Sequence, residues 1–98
     1  MLLYYHVFTI FSCFFSNCPL LIVNNSINNW DMSGVVIANN LFKDSYFNHT
    51  LNNWDIQNVE FLDSIFQNNV NFNQPLNNWN TQNCTRLFSA FENAISFN

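Results

Sequence analysis

A tetrapeptide recurs three times along this chain and limits how the chain can fold. Its copies are Ile27-Asn28-Asn29-Trp30, Leu51-Asn52-Asn53-Trp54 and Leu76-Asn77-Asn78-Trp79. The tryptophans lie 24 and then 25 residues apart. A fixed period of this length is typical of stacked arrays, in which each repeat buries its apolar face against its neighbours. The sequence therefore predicts a single repeat array over residues 1–98, with repeats at 27–50, 51–75 and 76–98, the last of them incomplete.

Between the tetrapeptides, apolar residues follow a helix-like spacing. In the second repeat Val59, Leu62, Ile65 and Phe66 stand at i, i+3, i+6 and i+7, which is one face of an amphipathic helix. The other repeats have the same columns, so we expect short helices at about 35–43, 59–67 and 84–92. Each run stops at a residue that tolerates the left-handed conformation found just past many helices. These residues are Asp44, Asn68 and Asn93.

Large apolar residues in phase with the repeat are candidate packing positions. They are Trp30, Trp54, Trp79, Phe42, Phe66, Phe91, Leu51 and Leu76. The tryptophans could instead stack on a ligand, but their phase favours a place in the core. Each indole N–H then needs a partner, for example an Asn of the same repeat. Pro75 excludes helix just before the third tetrapeptide, and a short strand or extended segment is expected near each Trp.

Residues 1–26 admit two interpretations. The tetrapeptide Phe15-Ser16-Asn17-Cys18 matches the column pattern of Phe66-Gln67-Asn68-Asn69, which favours a degenerate repeat. The alternative is a signal peptide or membrane anchor within residues 1–23, because this stretch is apolar and has no Lys or Arg. An N-terminal signal needs a basic start and a cleavage site, and neither is evident, so we favour the degenerate repeat.

Charge limits the classes of partner. The chain has two Lys and Arg residues against six Asp and Glu, a formal net charge of −4. Nucleic acids and anionic lipids are bound chiefly by neutralising phosphates with Lys and Arg. We therefore expect no nucleic acid partner, and membrane contact only through residues 1–23. The abundant asparagines either serve the structure or reflect an A/T-rich genome.

Few residues suggest catalysis or metal binding. Asp31 and Asp55 occupy one column and could bind Ca²⁺. Asn80 holds the same column in the third repeat, however, and supplies a hydrogen-bonding oxygen without the charge. This substitution favours a side chain that caps a turn. His49 forms no evident catalytic constellation with a Ser or Cys nucleophile. The sequence predicts no catalytic residue, no cofactor and no metal site, and so no enzyme.

The column pattern L-x-x-W-D/N-x-x-x-V-x-x-L-x-x-I/L-F-x-x-A/N-x-x-F-N resembles a known repeat of about 25 residues from bacterial surface proteins. Leu51-Asn52-Asn53-Trp54-Asp55, Phe72-Asn73-Gln74-Pro75-Leu76 and Phe91-Glu92-Asn93-Ala94 carry the resemblance. The family includes BspA-like leucine-rich-repeat proteins and mycoplasma lipoproteins, and similar repeats occur in large DNA viruses. The resemblance implies an α/β fold, a leucine-rich-repeat-like solenoid of three to four coils, and a location at the surface of a cell or virion.

Together these observations predict a non-enzymatic repeat scaffold that binds an unknown protein partner. The alternative is an exported or membrane-anchored surface protein with an N-terminal signal or anchor. Arrays of stacked repeats need terminal caps with a polar outer face, and neither end of the sequence supplies one. We therefore expect a fragment of a longer array or a decaying gene copy, able to associate with itself through its uncapped ends.

Overall fold

The computed structural model of the chain describes residues 25–98. Within this part the regular secondary structure is a single 3₁₀-helix, Asn25–Asn29, and neither an α-helix nor a strand forms. Two isolated parallel bridges join neighbouring repeats, one between Ile37 and Phe61 and the other between Phe61 and Arg86. The predicted α/β leucine-rich-repeat-like solenoid, with a strand and a helix in each coil, is therefore wrong.

The predicted helices at 35–43, 59–67 and 84–92 are absent because a left-handed residue interrupts each of them. Asn40, Ser64 and Ser89 have φ of 62°, 56° and 56°, whereas an α-helix needs φ near −63°. Backbone hydrogen bonds of these segments also run to the neighbouring repeat and do not follow the pattern of a helix. The N–H of Phe66 donates to the carbonyl of Ala90 in the next repeat, at 2.9 Å, and not to the residue four positions before it as in a helix.

Consecutive tight turns replace the helix. In the second repeat the N–H of Ile65 donates to the carbonyl of Leu62, at 3.3 Å, and the N–H of Asn69 donates to that of Phe66, at 3.0 Å. The third residue of each turn, Ser64 or Asn68, has positive φ, as in type II turns. The left-handed conformation expected at Asp44, Asn68 and Asn93 is confirmed, although it closes a turn and not a helix.

The repeats pack on one another through backbone hydrogen bonds between equivalent columns. Four N–H groups of the first repeat donate to carbonyls of the second, and four of the second donate to the third, at 2.8–3.0 Å. The donors alternate along the chain: Ala38, Asn40, Phe42 and Asp44, then Leu62, Ser64, Phe66 and Asn68. This ladder satisfies polar backbone groups that would otherwise be buried without partners, at a cost of about 1–3 kcal/mol each.

Stacked aromatic rings form the centre of the core. Phe42, Phe66 and Phe91 lie one above another, with ring centroids 5.5 Å apart at both steps. A second column begins at Phe47 and runs through Phe72, 6.3 Å away. Within the second repeat the rings of Phe66 and Phe72 are 3.9 Å apart. The apolar spacing that predicts helices therefore serves a core built from turns.

The first tetrapeptide ends the 3₁₀-helix and the other two form turns, so the strand expected near each Trp is also wrong. The N–H of Trp54 donates to the carbonyl of Leu51, at 3.0 Å, which leaves Asn52 and Asn53 as the two central residues. The Asn52 side chain links the repeats, because its Oδ1 accepts the N–H of Asn78, at 3.0 Å. The Asn pair of the second repeat therefore forms a hydrogen-bonded bend that also contacts the third repeat.

The two interpretations of residues 1–23, a degenerate repeat or a signal or anchor, lie outside the described residues and stay predictions. Among residues 25–98, no helix has the length and apolarity needed to cross a membrane. Residues 27–50, 51–75 and 76–98 are called the first, second and third repeats.

Candidate functional site

The third repeat has an outer face, meaning the side of residues 76–98 that is turned away from the second repeat. This face carries an open cleft of about 430 Å³. Its lining is mostly apolar and comes from two repeats: Leu62 and Ile65 of the second, and Leu76, Trp79, Leu87, Phe91 and Phe97 of the third, together with Asn77 and Thr81. Concave apolar surfaces with a few polar groups are the usual form of binding sites, so this cleft is the candidate site.

Side chains of this face stand at repeat positions that are buried in the second repeat, but in the third repeat they are exposed. Leu62 in the second repeat is 2 % exposed, whereas its counterpart Leu87 is 51 % exposed. Phe66 is fully buried, and its counterpart Phe91 is 37 % exposed. In the second repeat these columns are covered by the third, and no described residue covers them in the third. Contiguous exposed apolar surface of this kind marks interaction sites.

A row of backbone donors runs beside the cleft. The columns whose N–H groups join the first repeat to the second, and the second to the third, continue in the third repeat as Leu87, Ser89, Phe91 and Asn93. Within residues 25–98 none of these four N–H groups has an acceptor. The outer face therefore combines apolar side chains with a regular series of unpaired hydrogen-bond donors. No residue type marks this row in the sequence, and only the pattern of hydrogen bonds in the preceding repeats reveals it.

The tryptophan column lies between the core and the cleft. Trp54 is buried, and its indole Nε1 donates to the carbonyl of Ile27, at 2.8 Å. Trp79 is half-buried, lines the cleft and donates from Nε1 to the carbonyl of Leu51, at 2.9 Å. The expected partner, an Asn of the same repeat, is wrong, because the acceptor is a backbone carbonyl of the preceding repeat. Trp30 is half-buried and packs against the core.

The remaining sequence-predicted packing positions divide between the core and the cleft. Phe42, Phe66 and Leu51 are buried within the stack. Leu76 is half-buried and Phe91 is exposed, and both line the cleft. The third-repeat members of these columns are therefore the ones that reach the candidate site.

Asp31, Asp55 and Asn80 cap turns, as their shared column predicts. A side-chain Oδ1 of each accepts the N–H of the residue two positions later, at 3.1, 3.2 and 3.0 Å respectively. Asp31 also accepts the hydroxyl of Ser33, at 2.6 Å. Within residues 25–98 no cluster of three or more His, Cys, Asp or Glu side chains could hold a metal ion. His49 lies edge-on to the ring of Phe47, with centroids 5.6 Å apart.

An ionic cluster beside the candidate site was not foreseen from the sequence. Arg86 donates from Nε to Oδ2 of Asp63, at 2.9 Å, and also from its terminal nitrogen. Its guanidinium lies 4.7 Å from the ring centre of Phe61 and 5.7 Å from that of Phe88, in reach of cation–π attraction. The hydrogen bond from Arg86, together with the N–H of Phe88 and the Arg86 charge, lowers the pKa of Asp63 although burial opposes the shift. This cluster fastens the third repeat to the second.

Comparison with known proteins places the chain in a family without a characterised activity. No curated protein and no solved structure shows a significant match. A family model described as "Mycoplasma protein of unknown function, DUF285" matches residues 9–98. This match agrees only loosely with the mycoplasma part of the resemblance, and it gives no support to the BspA-like leucine-rich-repeat part. The chain belongs to this family, the Mycoplasma proteins of unknown function, DUF285.

Proposed function

We propose that this chain is a non-catalytic interaction module that binds a protein partner through the outer face of its third repeat. The observation that carries the proposal is the combination found there: an apolar cleft beside four unpaired backbone N–H groups at alternate residues. Unpaired edges of this kind are templates for pairing with another chain. A surface location, implied by the resemblance, belongs to the same proposal.

The chemistry of the face favours a polypeptide over other classes of ligand. A polypeptide supplies backbone carbonyls at regular intervals, together with the apolar side chains that the cleft would bury. Nucleic acid is disfavoured by the net charge of −4. Arg86, the cation of this repeat, is already paired with Asp63.

Site-specific photo-crosslinking tests this function. The photoreactive residue p-benzoylphenylalanine would replace Leu87 in the cleft, and in a matched control it would replace Tyr46. Both side chains are large and exposed, at 51 % and 54 %, but Tyr46 does not line the cleft. After irradiation of mycoplasma cells that express each variant, we expect a discrete protein adduct from position 87 and none from position 46.

Either of two results would overturn the proposal. Position 87 could give no protein adduct, or positions 46 and 87 could give the same adducts in equal yield. The first result would show that the cleft meets no protein. The second would show that the photoreactive residue captures neighbouring proteins by chance at any exposed position.

A further inference from the structure

We infer that the occupant of this face is another repeat of the same kind, docked in parallel register. This inference rests on the proposed protein-binding function and specifies the partner. The described repeats show twice how such a face is covered, because the second repeat covers the first and the third covers the second.

The row of N–H donors on the outer face determines which edge of a partner can bind there, namely an edge that presents carbonyl groups. In the described stack, four alternate N–H groups of one repeat donate to carbonyls of the following repeat. The direction reverses only just before this row, where the N–H groups of Glu60 and Thr85 donate back to the carbonyls of Val36 and Glu60, at 2.8 Å. The acceptors are Phe61, Asp63, Ile65 and Gln67 in the second repeat and Arg86, Phe88, Ala90 and Glu92 in the third. The row at residues 87–93 therefore requires four carbonyls at alternate residues.

A second copy of the outer face does not meet this requirement. Two outer faces placed against each other would bring one N–H row against another, and the donors of both would lose water without gaining acceptors. Head-to-tail stacking through the first repeat is also disfavoured, because Val35, Leu41 and Phe42 there are already fully buried. The complementary edge is the carbonyl edge of a different, uncovered repeat.

The shape of the row restricts the partner further. The segment that presents the carbonyls of the second repeat is not extended, since Ser64 and Asn68 within it have φ of 56° and 60°. Left-handed backbone costs least for Gly, Asn and Asp, and the repeats of this chain have Asn, Asp or Ser at these columns. A matching partner therefore has such residues at these two columns and apolar residues at the columns of Leu62 and Phe66, which is the repeat pattern itself.

Amide hydrogen exchange with a synthetic peptide tests this inference. The peptide has the sequence of residues 51–75, the segment on which the first repeat already docks in this structure. Added to the full 98-residue chain at ten times its Kd, it should slow the exchange of the Leu87, Ser89, Phe91 and Asn93 amides about tenfold. A peptide of the reversed sequence, with identical composition, should leave these amides unchanged.

Two variants of the chain locate the effect. Leu87→Lys places a charge in the cleft and should abolish the slowing at residues 89, 91 and 93. Tyr46→Lys, a matched change at an exposed site outside the cleft, should preserve it.

Three outcomes would overturn the inference: no protection by the peptide, equal protection by the reversed peptide, or concentration-dependent protection of the chain alone, which would indicate self-association. If the peptide fails while position 87 still gives a protein adduct, protein binding stands and only the repeat-type partner is wrong. If both experiments fail, the proposed function fails as well.

Discussion

The second and third repeats have closely similar apolar columns but differ in what their side chains contact. Leu62 and Phe66 lie between two layers, with the rings of Phe42 and Phe91 on either side of Phe66. Leu87 and Phe91 occupy the same columns with a layer on one side only. The same backbone donors that are paired at residues 62–68 are unpaired at residues 87–93.

This difference shows that burial in such a chain depends on the neighbouring layer and not on the local sequence. Each repeat buries its apolar side chains only where another repeat lies against it, as in other repeat proteins. A residue of the same column is therefore part of the core in one repeat and part of a binding surface in the next. Variants at matched columns measure how far the two repeats differ.

The largest difference is expected for the central phenylalanine column. Phe66→Ala removes a fully buried ring that stacks on Phe42, Phe72 and Phe91, and should lower the free energy of unfolding by about 3–5 kcal/mol. Phe91→Ala should cost less than about 2 kcal/mol, because its ring is already 37 % exposed and its loss leaves no closed cavity. Urea unfolding followed by tryptophan fluorescence measures both values.

If Phe66→Ala does not fold, Phe66→Leu and Phe91→Leu provide the same comparison with smaller losses. Equal losses at the two positions would contradict the difference between the repeats. They would mean that the outer face of the third repeat is covered in solution.

The sequence could predict the columns but not the backbone that carries them. Its 24- and 25-residue period identifies the residues that meet, and hydrogen bonds do join residues at this separation, such as the N–H of Asn53 with Oδ1 of Asn28 at 2.8 Å. A spacing of three, however, suits both a helix and a series of turns. The distinguishing signal is a second column of small polar residues, in the middle of each predicted helix, where the structure has positive φ: Asn40, Ser64 and Ser89.

Replacement of Ser64 tests the turns directly, with an intermediate expected effect. Relief of left-handed strain favours Gly by about 1–2 kcal/mol, and the extra freedom of Gly in the unfolded chain costs about 0.5–1 kcal/mol. Ser64→Gly should therefore raise the free energy of unfolding by about 0.5–1 kcal/mol. Ser89→Gly should do the same in the third repeat, because both serines have φ of 56°.

The alanine variant provides the control, because turns and helices predict opposite signs. Ser64→Ala keeps a Cβ at positive φ and should give no gain in stability, whereas alanine in a helix would stabilise the chain and glycine would destabilise it. A stabilising Ser64→Ala together with a destabilising Ser64→Gly, measured by urea unfolding, would restore the helix at 59–67.

The sequence predicts the candidate site less well than it predicts the repeat columns. Trp79, Phe91 and Leu76 were identified as packing positions, but their place in a cleft depends on the uncovered outer face. The donor row consists of backbone N–H groups, which have no signature in side-chain identity. Arg86 binds Asp63, which lies 23 residues before it in the sequence. The repeat period does not predict this pair, because the equivalent positions in the other repeats hold residues of other types.

The column that contains Asn39, Asp63 and Phe88 differs between the two junctions of the repeats. Substitution in this column gives the smallest expected effect on stability. At the first junction Oδ1 of Asn39 accepts the N–H of Asp63, at 2.8 Å, through a neutral amide. At the second junction Oδ1 of Asp63 accepts the N–H of Phe88, at 3.0 Å, and the same carboxylate binds Arg86. The second junction alone should therefore depend on the charge of a carboxylate in this column.

The direction of the pH effect follows from the lowered pKa of Asp63. Its usual value is 3.8, so the unfolded chain takes up this proton at higher pH than the folded chain does. The carboxylate stabilises the fold above that pH, and its contribution is lost as the pH falls through the lower pKa of the folded state. Because Arg86 is 46 % exposed, the contribution should be no more than about 1 kcal/mol.

Asp63→Asn makes the second junction resemble the first, since an amide still accepts the N–H of Phe88 but carries no charge. Urea unfolding between pH 7 and pH 2 should show that wild type is the more stable protein near neutral pH, and that its advantage shrinks on acidification below the usual carboxyl pKa. Added salt at pH 7 should narrow the same gap by screening the pair. A gap that is constant with pH and salt would show that Asp63 holds the third repeat by its hydrogen bonds alone, so the two junctions would be alike.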